Sequence, residues 1–354
     1  MTRHAEISGA GLVGLVAGAA LARRGWTVRI HEREPALREF GAGIFLWDNG
    51  LRSVRAVGGV LGRVHEAPYW EDRDGTGRLL SEGQRPLPRA GDGYLVTMTR
   101  RDLYAAVLAS ARQAGVEIHT GSKVVHADPL GDITTEDGRT WRADLVIGAD
   151  GIRSRIRESQ RLTLRSEELP FVIHRFLVPL AAARATHTYW QNYVDYRDTA
   201  TGRRVLYAPC NSDDLYLLLG AHPSDVAAVR QPLDAATWRE SFPALSPVLT
   251  TFPTELRVDR YEAVHTRSWS RGRVVVLGDA AHAMPPTLGR GAGTGMANAV
   301  ALADALERHP TVEEALAAWE AARRRPTEQI QEQSLQLAHA VISRRAHPDQ
   351  EQRC

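Results

Sequence analysis

Apolar and polar positions alternate in a regular way at the start of the chain. The stretch "AEISGAGLVGLVAGAALARRGWTVRIHERE", residues 5–34, opens with a short β-type run, breaks at Gly9, and continues as an Ala/Leu-rich helical pattern. It ends in "TVRIHE", where alternation is typical of a strand. The pattern predicts a β-α-β unit, from which parallel sheets are built.

A second helix is predicted in "TRRDLYAAVLASARQAG", residues 99–115. Leu103, Val107, Leu108 and Ala111 fall on one face of this helix, and Gly115 follows its end as a stop signal. The next run, "VEIHT", is a strand that we expect to join the same sheet as the first unit.

The middle of the chain has a different pattern. Asp137-Gly138 predicts a hairpin turn, and the buried strand "LVIGAD" follows it. Residues 170–260 then carry β-branched and aromatic runs such as "FVIHRFLVPL" and "RRVLYAPC", without glycine-led alternation of strands and helices. This region predicts an antiparallel sheet.

A glycine-rich strand-loop-helix pattern returns at 272–307, and two helices, "VEEALAAWEAARRRP" and "TEQIQEQSLQLAHAVI", are predicted to finish the chain. The first and last parts therefore look like pieces of one nucleotide-binding lobe. We predict that residues 1–169 and 261–354 form that lobe, and that residues 170–260 form an inserted substrate-binding lobe.

Composition excludes several classes of protein. The chain has 354 residues, of which 43% are hydrophobic and 24% charged, and its net charge of +2 gives no indication of a nucleic-acid partner. Because no apolar run is long enough for a membrane span and no signal peptide is evident, we expect a cytoplasmic protein. Cys210 and Cys354 are the only cysteines, and the histidines lack ligand spacing, so we expect neither disulfides nor a metal site.

The first candidate site is the pattern Gly9-x-Gly11-x-x-Gly14, which follows a strand and opens a helix. In this context the glycines allow a tight turn and let backbone amides approach a pyrophosphate. Glu32 ends the second strand, where a carboxylate accepts hydrogen bonds from an adenosine ribose. The alternative is a glycine-rich turn followed by a solvated glutamate.

Two further segments end a strand on an aspartate. Asp150 and Gly151 follow "LVIGA", which by itself fits an ordinary turn as well as a ligand site. Asp279 follows "VVVLG" and is expected at the carboxyl edge of the sheet, where such folds bind ligands. The glycine-dense loop after Asp279 leads into a helix whose N-terminal amides would face an anion.

These three segments, in this order and spacing, resemble those of the flavin monooxygenases with the para-hydroxybenzoate hydroxylase fold. The resemblance implies an α/β fold, with a glutathione-reductase-like Rossmann FAD-binding lobe, an inserted antiparallel β-sheet substrate lobe and C-terminal helices. It also implies non-covalent FAD, NADH or NADPH as co-substrate, dioxygen and a small aromatic substrate, and it leaves open whether the protein is a monomer or a homodimer. The FAD contacts it implies are Gly9, Gly11, Gly14, Glu32, Arg33, Gly43, Ile44, Arg100, Val124, Asp150, Gly151, Gly278, Asp279, Pro286, Gly289, Gly291, Ala292 and Gly293.

Segments such as "FGAGIFLWDNGLR" and "SWSRGRVVVLGDAAHAMPP" are similar to the branch of this family that oxygenates 3-hydroxypyridine rings, sometimes with ring opening. That similarity implies that Arg204 and Tyr216 line the substrate pocket. It implies a further aromatic residue at 65–75, for which Tyr69 is the candidate and Trp70 the next choice.

The chain departs from that branch in two regions that would border the pocket. Pro285, Thr287 and Arg290 replace smaller or different residues in the glycine-rich loop, and the segment Thr186–Arg203 is divergent. We therefore expect a different substrate.

Other interpretations remain open for the individual residues. Arg204 could be an exposed strand arginine paired with a carboxylate, and Tyr216 a core aromatic with a satisfied hydroxyl. His282 is expected to support the loop rather than act as a base. For the whole chain, the alternatives are a phenol-, salicylate- or aminobenzoate-type hydroxylase and a non-catalytic binding protein with the FAD fold.

Overall fold

Two sheets organise the chain in a computed structural model, which describes residues 2–37, 42–87, 94–181, 191–250, 252–253 and 256–343. The strands are β1 (His4–Ser8), β2 (Thr27–His31), β3 (Gly43–Trp47), β4 (Tyr69–Asp74), β5 (Leu79–Pro86), β6 (Leu95–Thr99), β7 (Glu117–His119), β8 (Val124–Ala127), β9 (Asp132–Thr135), β10 (Thr140–Arg142), β11 (Leu145–Gly148), β12 (Thr163–Pro179), β13 (Tyr193–Asp198), β14 (Arg203–Pro209), β15 (Asp214–Ala221), β16 (Arg257–Thr266), β17 (Ser270–Arg271) and β18 (Val274–Val276). The helices are α1 (Leu12–Ala22), α2 (Asp48–Ala56), α3 (Arg100–Gln113), α4 (Arg155–Ser159), α5 (Val226–Val229), α6 (Ala235–Ser241), α7 (Asp279–His282), α8 (Gly291–Arg308) and α9 (Val312–Ser343).

The first sheet has six strands in the order β17-β18-β11-β1-β2-β7. All neighbours are parallel except β17 and β18. Because β1, β11 and β18 are adjacent and parallel, the three predicted ligand segments that follow them leave the sheet at the same edge. The β-α-β unit and the pairing of "VEIHT" with the first sheet are confirmed.

The predicted hairpin at Asp137-Gly138 is confirmed as well. Strands β9 and β10 pair antiparallel across it, and Gly138 has a φ of +84°, which glycine adopts without strain. Together with β8 they form a small three-stranded sheet beside the first one.

The second sheet has seven strands in the order β16-β12-β15-β14-β13-β4-β5. Four of its strands correspond to the apolar runs expected between 170 and 260, but β4 and β5 lie far outside that segment. The sequence "YWEDRD" of β4 lacks apolar alternation. Its buried positions include the charged residues Glu71 and Arg73, which can be buried because they pair with each other. The boundaries of the two predicted lobes stay a prediction.

Each face of the second sheet packs against a different part of the molecule. One face contacts α6 through a cluster that includes Tyr196, Leu217, Trp238 and Phe242. We call the other side the inner face; its cluster includes Tyr216 and Tyr261 together with Ala42 from the chain just before β3. The inner face therefore looks toward the lobe that carries the glycine-rich segments.

The two predicted C-terminal helices are one helix, α9, with Pro326 inside it. Proline removes a backbone donor and normally ends or kinks a helix. Here side chains on both sides of Pro326 bond to the rest of the protein. Trp319 donates to the Asn298 carbonyl at 2.9 Å, and Gln331 donates to the Val264 carbonyl at 2.8 Å. These contacts hold both halves along one axis.

A helix that spans a membrane must be both long and apolar. No helix in the described part of the chain has the length and hydropathy to cross a bilayer.

Candidate active site

The loop after β1 contains two glycines that the protein's own packing requires and one that it does not. A Cβ at Gly9, where φ is +102°, would lie 2.4 Å from the Ala149 carbonyl oxygen, and one at Gly14 would lie 2.0 Å from the Gly9 carbonyl oxygen. A Cβ at Gly11 would have no atom within 4 Å. Open space therefore adjoins Gly11 at the N-terminus of α1, where a pyrophosphate fits.

Glu32 lies beside this loop and holds it in place. One carboxylate oxygen accepts from the Ala10 amide at 3.0 Å, and the other accepts from the Glu34 amide at 3.0 Å. Arg33 is largely exposed, while Val124 is buried at the start of β8. Glu32 thus has a loop-holding contact in addition to the predicted ribose contact.

Asp150 has one satisfied and one unsatisfied carboxylate oxygen. Oδ2 accepts from the Arg155 amide at 2.8 Å, whereas Oδ1 is buried without a hydrogen-bond partner. Burial raises the pKa of Asp150. The neighbouring Gly151, with a φ of +81°, has open space where a Cβ would be. A buried acceptor beside open space fits a ligand that donates a hydrogen bond.

Asp279 begins the one-turn helix α7 after β18, at the same edge of the first sheet as Gly11 and Asp150, and we call the opening at this edge the cleft. The Asp279 side chain is exposed although many protein atoms lie near its carboxylate, so it borders an opening in the protein. Burial raises the pKa of Asp279, and the charge of Arg100 opposes that shift. The preceding Gly278 needs its positive φ of 60° to make the turn, and a Cβ there would be 3.0 Å from Val13.

Arg100 lies at the start of α3, and within the described residues its guanidinium has no hydrogen-bond or ion-pair partner in the structure. Burial lowers its pKa to about 10, with a further contribution from Arg175, while Asp279 acts in the opposite direction. An enclosed cation without a partner of its own fits a polar ligand in the cleft.

The glycine-dense loop after α7 continues from Asp279 and packs against β3. A short 3-10 turn, Pro286–Leu288, precedes Gly289, whose φ is +61° and whose Cβ would lie 2.9 Å from Phe45. Helix α8 starts at Gly291 without a side-chain cap or an acidic residue in its first turn. Its first amides are therefore free to bind a negatively charged edge of a ligand.

Two of the residues that depart from the related branch have structural contacts in the loop. Thr287 is buried and donates to the Ser334 carbonyl at 2.7 Å, so it ties the loop to α9 and does not line a pocket. The Arg290 guanidinium lies over the Trp47 ring at 4.6 Å, and Trp47 donates to the Leu288 carbonyl at 3.0 Å. Pro285 is buried. Of the divergent segment, residues 186–190 lie outside the described residues.

His282 is buried behind the loop, in agreement with the expected supporting role. Its Nε2 is 3.2 Å from the Asn298 amide nitrogen, and its ring packs against Trp269. Burial lowers the pKa of His282 to about 4, so the imidazole is neutral near pH 7.

Arg204 and Tyr216 lie on the inner face of the second sheet, on the paired strands β14 and β15. Burial raises the pKa of Tyr216 to about 12, although the charge of Arg175 acts against the increase. A Cβ on Gly43 would lie 2.4 Å from that of Tyr216, so Gly43 packs directly against the tyrosine. In the register of these strands Arg204 pairs with Gly220 and Tyr216 with Ala208, so the two residues share one face but lie four positions apart along it, and Tyr216 is the one that adjoins Gly43.

Arg204 is buried and paired, not an exposed strand arginine. Its Nε donates to Asp195 Oδ1 at 2.5 Å, and Nη1 donates to the Tyr261 hydroxyl at 3.4 Å. Sequence analysis missed Asp195 and Tyr261. The period-2 alternation of β13 and β14 places Asp195 and Arg204 on one face, but the register that makes them neighbours is not visible in the sequence.

The structure separates Tyr69 from this group. Tyr69 is 39% exposed at the start of β4. Trp70 points to the inner face, where its ring centroid lies 5.9 Å from that of Phe45 and 6.2 Å from that of Tyr193. We call Phe45, Trp70 and Tyr193 the aromatic wall. Successive side chains of a strand point to opposite faces, so Trp70 belongs to this wall and Tyr69 does not.

These features are those of an FAD-binding oxidoreductase. They comprise a Rossmann-type sheet, a glycine loop with open space at Gly11, and two aspartates that face the cleft. The chain belongs to the FAD binding domain family, whose model matches residues 3–334. It is an FAD-dependent monooxygenase, as its relatives are.

Three relatives illustrate the range of this group. A putative 2-heptyl-3-hydroxy-4(1H)-quinolone synthase of Rhodococcus erythropolis is 39% identical over 95% of this chain and 88% of its own length. A 6-hydroxynicotinate 3-monooxygenase of Bordetella bronchiseptica is 30% identical over 85% of this chain and 82% of its own. The tetrameric form of 2-methyl-3-hydroxypyridine-5-carboxylic acid oxygenase superposes with a TM-score of 0.91 at 37% identity, over 98% of this chain and 94% of that one. The predicted resemblance, fold class and FAD cofactor are confirmed.

Proposed function

We propose that the protein uses NADH or NADPH and dioxygen to hydroxylate an electron-rich nitrogen heteroaromatic ring. The observation that carries this proposal is the position of Arg204 and Tyr216 on an inner face that lies against the FAD lobe and combines an aromatic and aliphatic cluster with paired charges such as Arg204–Asp195. The names of the three relatives describe a quinolone, a nicotinate and a pyridine, which are all nitrogen heteroaromatic rings.

The residues of the cleft fit FAD from one end to the other. The amides around Gly11 would hold the pyrophosphate, and the open oxygen of Asp150 would accept a hydrogen bond from the cofactor. Asp279 would hold the ribityl chain, and the first amides of α8 would stabilise negative charge on the flavin ring. Bound FAD supplies the redox chemistry, because reduced flavin activates dioxygen for transfer to the substrate.

The side chains of the inner face would position the substrate. The Tyr216 hydroxyl and the Arg204 guanidinium are hydrogen-bond donors that fix the orientation of a ring relative to the flavin. Phe45, Trp70 and Leu206 would pack on the ring and exclude water from the reaction. No residue of the chain has to act as a nucleophile in this scheme.

A substrate panel tests the proposal directly. NAD(P)H oxidation and oxygen uptake are measured with 3-hydroxypyridines, 4-quinolones, aminobenzoates and salicylates, and products are examined by mass spectrometry. We expect stimulation and a mass gain of one oxygen with a nitrogen heterocycle. Stimulation only by benzoates would favour the phenol-type alternative, and a colourless protein that releases no FAD on heating would contradict the proposal altogether.

A paired variant tests the placement of the ring. Arg204→Met removes the donor while keeping an unbranched apolar side chain, and should raise the substrate dissociation constant about tenfold or more, the typical effect of one charge-assisted hydrogen bond. Tyr69→Phe changes a side chain outside the aromatic wall and is the control. If Arg204→Met and the wild type bind the substrate equally well, Arg204 does not contact the substrate and has only a structural role.

A further inference from the structure

Arg204, the buried arginine of the inner face, forms an ion pair with the carboxylate of Asp195. Asp195 is buried, and its two oxygens bind two different arginines: Oδ1 accepts from Arg204 Nε at 2.5 Å, and Oδ2 accepts from Arg197 Nη2 at 2.8 Å. Burial by itself disfavours the charged carboxylate, yet Arg204 and Arg197 hold the pKa of Asp195 below its usual value. Asp195 is therefore a carboxylate in the folded protein.

The same network continues away from Arg204. Arg197 Nη2 also donates to Asp72 Oδ1 at 3.0 Å, and Asp72 Oδ2 accepts from Arg85 at 3.0 Å near the edge of the sheet. Asp195 and Asp72 thus match the charges of Arg204 and Arg197, and Arg85 adds a third cation whose side chain is 58% exposed, where solvent and salt screen its charge. An anionic substrate group placed beside Arg204 would therefore meet the buried Asp195 carboxylate, while the unmatched cation of this network, Arg85, lies at the exposed edge of the sheet.

Arg204 nevertheless keeps hydrogen-bond donors that Asp195 does not use. A guanidinium has five N–H donors, and the contacts of Arg204 within the described residues involve Nε, toward Asp195, and one N–H of Nη1, toward the Tyr261 hydroxyl. The Nη2 group and the second N–H of Nη1 remain available. A donor edge with its charge already neutralised suits a neutral acceptor such as a ring carbonyl or an amide oxygen.

We propose that Asp195 is a specificity-determining residue, which neutralises Arg204 so that the site takes a heteroaromatic ring bearing an uncharged oxygen acceptor and rejects the corresponding carboxylate. This inference rests on the proposed function and narrows its substrate class. Asp195 acts through Arg204 and has no contact with the substrate in this scheme. Its role is to set which charge the substrate can carry at that position.

A matched pair of ligands measures this preference without turnover. 5-Hydroxynicotinamide and 5-hydroxynicotinate share one ring and differ in a neutral or a charged substituent. Their dissociation constants are measured near pH 7.5 from the change in flavin absorbance of the FAD-loaded protein. We expect the wild type to bind the amide at least tenfold more tightly than the acid, because an unbalanced charge contact costs at least one charge-assisted hydrogen bond.

Asp195→Asn keeps the shape and one hydrogen-bond acceptor while removing the charge. It should reverse the preference, with a gain of about 10- to 100-fold in the ratio of acid to amide binding. Asp72→Asn removes a charge from the same network without touching Arg204, and should change that ratio much less. A merely structural role of Asp195 would weaken both ligands together and leave the ratio unchanged.

Several results would overturn the inference. They are a wild-type preference for the acid, an unchanged ratio in Asp195→Asn, an equal shift in Asp72→Asn, and binding of neither probe by the wild type up to its solubility limit. If Asp195→Asn does not fold, the preference of the wild type alone decides the matter. The proposed function fails separately, when no aromatic compound stimulates NAD(P)H oxidation by the flavin-loaded protein.

Discussion

Replacing Gly11 with alanine should change the affinity for FAD without lowering the stability of the FAD-free protein. Gly11 has a φ of −74° and a ψ of 178°, which alanine adopts readily, and an added Cβ would have no protein atom within 4 Å. The FAD-free protein should therefore keep its stability, or gain up to about 1 kcal/mol because alanine restricts the unfolded chain.

The bound cofactor should respond in the opposite direction. A methyl group at Gly11 occupies the space assigned to the pyrophosphate, and moving the phosphates away would weaken one or more hydrogen bonds from backbone amides. Each such bond to a charged group contributes about 1.5–3 kcal/mol, so the FAD dissociation constant should rise roughly 10- to 150-fold. Fluorescence titration of the apoprotein with FAD measures this constant, and thermal unfolding without FAD measures stability.

Two other glycines serve as controls for this experiment. Gly62→Ala also adds a Cβ that meets no atom within 4 Å, far from the β1 loop in sequence, and should leave FAD affinity unchanged. Gly14→Ala places a Cβ 2.0 Å from a backbone oxygen and should destabilise the apoprotein itself. If Gly11→Ala binds FAD as tightly as the wild type, the pyrophosphate does not lie at this loop and the reasoning is wrong.

The remaining predictions concern the cleft, the buried histidines and the aromatic wall. Asp279→Ala should weaken FAD retention on gel filtration, and full flavin content with unchanged affinity would refute its assignment to the ribityl chain. Burial lowers the pKa of both His174 and His282 to about 4, against 6.5 in the unfolded chain. The unfolded state therefore gains protons first, and stability should fall as the pH drops from about 6.5 to about 4, by up to about 3 kcal/mol for each histidine. Urea unfolding at pH 7.5 and pH 5 should show this loss, His174→Leu should reduce it, and an equal loss in that variant would exclude His174 as its source. Trp70→Leu should weaken binding of the aromatic substrate whereas Tyr69→Leu should not, and equal effects in a binding titration would contradict the assignment of Trp70 to the inner face.

Much of the first sheet could be predicted because its signals are local. A strand, a glycine turn and a helix occupy consecutive residues in the loop at Gly9, so the pattern, the turn and the helix start are read from one stretch. The same holds for Asp150 and Asp279, each of which follows an apolar strand directly. The predicted clustering of these segments depended only on their strands being parallel neighbours, which the structure confirms.

The second sheet was predicted less completely because its partners are distant in sequence. Strand β4 joins β13 across more than a hundred residues, and its charged sequence gives no apolar signal. The sequence could not decide between Tyr69 and Trp70 for a related reason: it indicates an aromatic pair, and only the register of β4 decides which member faces inward. Pro326 similarly predicts the end of a helix, but the helix continues through it because contacts with distant segments hold both halves in place.

The sequence by itself determined the nucleotide-binding loops, since their function resides in backbone amides and in glycines whose positions are fixed by neighbouring residues. Tertiary structure alone decided the charge of the inner face. Arg204 is in the sequence as a cation, but strand pairing places Asp195 at 2.5 Å from it, so that this cation is paired inside the protein. Charge at a buried site depends on which groups the fold brings within hydrogen-bond distance, and that information is not local to any one segment of the chain.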